Sequence, residues 1–188
     1  AIRQGQHKIR VKNRTPVGLI NAVVITSSYT NNDGVAGPFV ITLTIEEDGK
    51  EYVFYIPRFL SLETSKNLDN FFNMYSPSAM SEEYMDSLYE DTPCLYVKQD
   101  TALELYHLTG KQFYKDFLKK SKNSIIKRYF DRGQEKEIID FLQFGFFASS
   151  SLDKFRKIAD EREMSVLSAY ILEEQKKKAP KTTTKFTI

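Results

Sequence analysis

The side chains able to bind a metal or to drive nucleophilic chemistry are few in this chain of 188 residues: two histidines, one cysteine and 25 carboxylates. His7 lies in a basic stretch, and His107 sits between Tyr106 and Leu108. Neither has a second histidine four residues away, and there is no cysteine pair, so the spacing of a zinc site is missing. Cys94 has no partner for a disulfide and reads as a buried thiol within a strand. The adjacent acids Glu46-Glu47 and Glu82-Glu83 point apart on a strand, or about 100° apart on a helix, and cannot converge on one proton. Neither a glycine-rich phosphate loop followed by Lys-Ser/Thr nor a GxSxG elbow occurs, and Asn32-Asp33-Gly34 lacks the later ligands of a calcium loop. The expectation is a protein that is not an enzyme and that uses no metal or cofactor.

Charge and exposed aromatic groups leave more room for binding. Residues 1–14 hold Arg3, Lys8, Arg10, Lys12 and Arg14 without an acid, giving +5. Residues 15–110 hold fourteen acids against four bases, giving −10, and residues 111–188 hold eighteen bases against eleven acids, giving +7. A basic arm, an acidic body and a basic end attract one another, either within one molecule or head to tail between copies.

The elements that must position these groups are organised around a hairpin. The runs 39–47 and 50–56 flank Asp48-Gly49, a pair suited to the positive φ of a two-residue type I′ turn. Counting outward pairs Glu47 with Lys50, Ile45 with Tyr52, Leu43 with Phe54 and Ile41 with Ile56. Those six apolar side chains make a core face. The opposite face, with Val40, Thr42, Thr44, Val53 and Tyr55, is too apolar for a plainly solvated surface and should meet something.

Along the rest of the chain, residues 1–14 alternate Lys8, Arg10 and Lys12 with Ile9 and Val11, which is the period of an edge strand or an extended arm. Residues 17–26 are apolar on both faces and read as a central strand. A polar, turn-rich loop over 27–37 follows, with Tyr29 near its start. Beyond Pro57, Leu62 to Tyr75 recur at helical intervals with Ser61 or Thr64 as N-cap, and 79–90 forms an acidic helix with Met80, Tyr84 and Leu88 on one face. Residues 92–99 read as a further strand, which Pro93 puts at an edge or at a strand start. From Asp100 the period is helical: 100–109, 113–122, 124–131, 134–144, and a long helix from Ser149-Ser151 to about residue 175, with a break near Met164. Phe144, Phe146 and Phe147 form an aromatic knot around Gly145. Residues 179–188 are a β-prone tail after Pro180. The expected fold is α+β. An antiparallel N-terminal sheet over 1–99, with an OB-like barrel as one way of closing it, precedes a helical part over 100–178 and the extended tail.

Strands between 17 and 56, a helix through Phe71 and a strand at Leu95 broadly resemble, in order, the sheet-plus-helix plan of the OB-fold, including those of phage single-strand-binding proteins. The resemblance implies stacking of bases on Tyr29 and Tyr55 and phosphate contacts from Arg58 and Lys98. Against it stand the −10 charge of this region, where phosphate favours a basic groove, and an end reading Lys185-Phe186-Thr187-Ile188 in place of an acidic tail.

The preferred expectation is therefore a non-enzymatic structural or assembly subunit that associates with other subunits, including its own copies. Its partner-binding ends would be Arg3, Lys8, Arg10, Lys12 and Arg14 at one terminus and Lys185, Phe186 and Ile188 at the other. Strand-like ends can add to a neighbour's sheet edge. Lysine, asparagine, phenylalanine and tyrosine usage points to a phage virion protein of connector, ring or auxiliary capsid type, with single-stranded nucleic-acid binding as the alternative. No apolar run reaches the about 18 residues a membrane span needs, and the first residues lack the apolar centre of a signal peptide. The expected location is a virion or the cytoplasm.

Overall fold

A computed structural model describes residues 8–13, 18–26, 37–92 and 94–178. It is mixed α+β and mostly helical. The chain divides into two compact units, Ala1–Lys120 and Ser121–Ile188.

The first unit is built on the hairpin. Asp48 and Gly49 adopt φ of 51° and 74°, the left-handed pair of a type I′ turn. Strands β3 (Val40–Glu47) and β4 (Lys50–Pro57) pair antiparallel in the register counted from the turn, from Glu47↔Lys50 to Ile41↔Ile56. β1 (Lys8–Lys12) lies on the other side of β3 and runs parallel to it, with Ile9 opposite Leu43 and Val11 opposite Ile45. The sheet is therefore mixed, which corrects the expected antiparallel arrangement. A parallel neighbour needs a crossover connection and not a tight turn.

Ile41, Leu43, Ile45, Phe54 and Ile56 form the buried face, joined by Tyr52 and, from β1, by Ile9 and Val11. Three helical segments cover it: α1 (Leu19–Val23) through Ile20 and Val23, α2 (Leu62–Met74) through Leu68 and Phe72, and α3 (Glu82–Glu90) through Leu88. The Phe54 and Phe72 rings meet edge to face at 5.1 Å. Ser61 caps α2, its hydroxyl accepting the Thr64 N–H at 3.1 Å. α1 has Gly18 at its N-cap, so the carboxylate comes from elsewhere: buried Asp69 of α2 accepts the Gly18 and Ile20 N–H groups at 2.8 and 3.1 Å. The strand expected over 17–26 is thus a short helix followed by β2 (Ile25–Thr26), which pairs parallel with β5 (Phe59–Leu60). Ile20, Val23 and Val24 are buried at i, i+3 and i+4, a helical stripe hidden in a segment that is apolar on every side.

The strand expected over 92–99 is replaced by helix from Leu95 onward. α4 (Leu95–Thr109) starts directly after Cys94, whose φ is 63° and whose side chain is half-buried. Its buried stripe, Val97, Thr101, Ala102 and Leu105, crosses Asp100, where the sequence reading placed a helix start. Only a window spanning both sides of Asp100 reveals that period. With 19–23 and 95–99 helical, two of the strands in the OB-like order are missing, and no barrel closes among the described residues.

α5 (Gln112–Asp131) is one continuous helix where two were expected, and the boundary between the units falls within it. The second unit continues with α6 (Glu135–Leu142), α7 (Ser149–Glu161) and α8 (Ser165–Lys178), so the long expected helix does break beside Met164. Its core gathers Ile125, Ile138, Leu152, Leu167 and Ile171. The aromatic knot packs on Phe141, whose ring lies 5.7, 5.9 and 6.1 Å from Phe144, Phe146 and Phe147. The Lys122 ammonium donates to the Phe146 carbonyl at 2.7 Å. No helix among the described residues is long and apolar enough to cross a membrane.

Candidate functional site

The hairpin register decides which backbone groups of β4 point away from β3. In an antiparallel pair, hydrogen-bonded and non-hydrogen-bonded positions alternate, and a two-residue turn closes on a hydrogen-bonded pair, here Glu47↔Lys50. The Arg58 N–H bond to the Phe39 carbonyl at 2.8 Å continues that series at the far end. Glu51, Val53 and Tyr55 therefore turn their N–H and C=O groups outward, and Pro57, which has no N–H, falls at the next outward position. β4 has only β3 as a strand neighbour among the described residues.

A cleft of about 230 Å³ opens at this edge. Val53, Phe54 and Tyr55 all line it. Because successive side chains of a strand point to opposite faces, a cleft touching all three runs along the strand's edge and not over one face. Met80 and Met85 form an apolar wall, and Leu105 and Thr109 of α4 form another. α4 is held over the start of β3 by Glu104, whose carboxylate accepts the Phe39 N–H at 2.9 Å and the Val40 N–H at 2.8 Å. Val40 is buried there, yet Val53 at the cleft is 47% exposed.

The polar end of the cleft is an ion cluster. The Lys111 ammonium lies 3.0 Å from Asp86 and 3.2 Å from Glu82, and the Tyr114 hydroxyl donates to Asp86 at 3.0 Å. Burial by itself would lower the Lys111 pKa, but the hydrogen bonds its ammonium donates to Asp86 and Glu82 outweigh it and the pKa is raised. Burial, reinforced by the bond to Asp86, also raises the Tyr114 phenol. Lysine and tyrosine both keep their protons at neutral pH. Lys111 already stands where a cation would sit between the two carboxylates. With two acids against one base, this end of the cleft carries an excess of negative charge.

The residues proposed from sequence are distributed differently. Lys8, Arg10 and Lys12 lie exposed along β1; Arg10 pairs with Glu51, and Lys12 lies 3.7 Å from Glu46, so part of the basic stretch is compensated within the molecule. Tyr55 is half-buried and lines the cleft. Arg58 donates to the Pro38 carbonyl at 3.2 Å. Lys98 donates to Glu90 at 2.7 Å and lies 4.9 Å from the Tyr89 ring centre. The structure thus gives Arg58 and Lys98 separate partners. Arg3, Arg14, Tyr29, Lys185, Phe186 and Ile188 lie outside the described residues. Met85, Asp86, Leu105, Lys111 and Tyr114 went unnoticed in the sequence. The only signals toward the site were the apolar excess of Val53 and Tyr55 on the second face and Met80 beside an acidic helix.

Searches against protein-family models, curated proteins and solved structures find no match to this chain.

Proposed function

We propose that this chain is a non-catalytic assembly subunit that associates through its sheet, with a particle of the phage-virion type as the assembly its composition favours. The observation that carries the reading is the outer edge of β4, where the outward backbone groups of Glu51, Val53 and Tyr55 lie beside an apolar cleft and a half-exposed valine. An edge of this kind is a template for strand addition. The segregation of charge into a −10 stretch and a +7 stretch gives copies of the chain a mutual attraction.

Native mass spectrometry and sedimentation velocity of the full chain, over rising concentration and at low and high salt, test the reading. Defined oligomers that weaken with salt are the expected result. A chain that stays monomeric throughout overturns it.

A further inference from the structure

We propose that the outer edge of β4 accepts residues 181–188 of a second copy of this chain as an added strand, with Phe186 entering the cleft beside Val53. The inference rests on the assembly reading and names its contact.

The two edges of the sheet differ in what guards them. β1 presents Lys8, Arg10 and Lys12 at alternate positions, the arrangement that discourages edge pairing. β4 places no charged residue between Glu51 and Arg58, and its outward positions include the exposed Val53. Strand addition is therefore favoured at β4. The cleft itself narrows the choice of occupant. At about 230 Å³ it falls below the roughly 300–1,000 Å³ of sites that enclose a small molecule, and it suits one or two side chains anchoring an extended backbone.

The sequence 181–188, Lys-Thr-Thr-Thr-Lys-Phe-Thr-Ile, matches those demands. Its β-branched and aromatic residues favour extended structure. Eight residues span about 26 Å as a strand, and β4 is itself eight residues long. Phe186 and Ile188 share one face of such a strand, so the first can fill the cleft while the second follows the edge. Lys185 and Lys181 bring positive charge to a site where Glu82 and Asp86 outnumber Lys111. A contact of one copy's end with another copy's edge either closes reciprocally as a two-fold dimer or repeats head to tail as a ring or filament.

The test places a photoreactive benzophenone side chain at position 186 of the full chain and irradiates an equal mixture of ¹⁴N- and ¹⁵N-labelled protein. Mixed-isotope crosslinks at Val53–Tyr55 or Met80–Met85 are expected. Val53→Lys, with its thermal melt checked by circular dichroism, should weaken association about tenfold or more, as loss of a central interface contact does, and Phe186→Ala should do the same. If the chain assembles but crosslinks map elsewhere, or if both variants associate with unchanged affinity, the edge contact is wrong while the assembly reading stands. Crosslinks confined to single-isotope molecules overturn the second copy as occupant. A monomeric chain overturns both.

Discussion

The two edges of one three-stranded sheet are built on opposite rules. β1 alternates Lys8, Arg10 and Lys12 with Ile9 and Val11; its apolar residues join the core, and two of its charges are met by Glu51 and Glu46. β4 sends Phe54 and Ile56 into the same core but leaves Val53 half-exposed beside a cleft, with outward backbone groups on the side away from β3. Folding alone does not require this asymmetry, because the buried face is complete from either side. What it teaches is that exposure at one edge is tolerated where the other is blunted by charge, and the tolerated edge is where a partner is to be sought.

The sharpest way to break the comparison is to truncate adjacent residues of β4. Phe54→Ala removes a ring that is 8% exposed and packed on Phe72, and it should cost about 3–5 kcal/mol. Val53→Ala should stay within about 0.5 kcal/mol, as surface substitutions do. Urea midpoints read both, and equal shifts would mean that the two faces of β4 are buried alike. Next in size is the turn that sets both strands in register. Gly49→Val should cost about 1–3 kcal/mol, because φ is +74° while a Cβ meets nothing within 4 Å, so backbone strain is the whole effect. An unchanged midpoint would remove the register from which the outward groups of β4 were assigned.

The wall behind the β4 cleft carries a pH signature. Tyr114 and Tyr89 both have phenol pKa values raised chiefly by burial from an ordinary value near 10.0. The folded chain therefore holds these protons where the unfolded chain releases them. Their contribution is fully present below pH of about 10 and is lost as pH rises further. Urea midpoints measured through that range should fall, and Tyr114→Phe should flatten the fall; a midpoint that rises there would contradict the buried wall. The smallest effect belongs to the β1 edge. Arg10→Ala should leave the urea midpoint close to that of the unaltered chain, because Arg10 and Glu51 are both more than half exposed and water screens the pair. A larger loss in a urea titration would show that this edge is held by its charge and not by Ile9 and Val11.

The hairpin was legible because everything that specifies it is local: a turn pair with positive φ, and a period of two on either side. α2 with its Ser61 cap, the break beside Met164 and the alternation of residues 8–12 were legible for the same reason. Residues 17–26 and 92–99 were not. The first is apolar on both faces and the second has a short apolar run over 94–97, and their helical stripes emerge only against the carboxylate of Asp69 in one case and across Asp100 in the other. The cleft was hardly legible at all, since its lining comes from segments 53–55, 80–86 and 105–114, and nothing local links Lys111 to Asp86.

By itself, then, the sequence determined the register of β3 and β4, the two opposed faces of the hairpin, most helices after Gly110 and the separation of charge along the chain. These follow from turn chemistry, side-chain periodicity and composition, each readable within a dozen or so residues. Tertiary structure alone decided that β1 runs parallel to β3, that the apolar runs near Ile20 and Val97 are helices, and that α3, α4 and α5 leave a cleft at the outer edge of β4. Those outcomes depend on which distant groups satisfy a backbone N–H or cover an apolar stripe, and contacts of that kind have no signature in the spacing of neighbours along the chain.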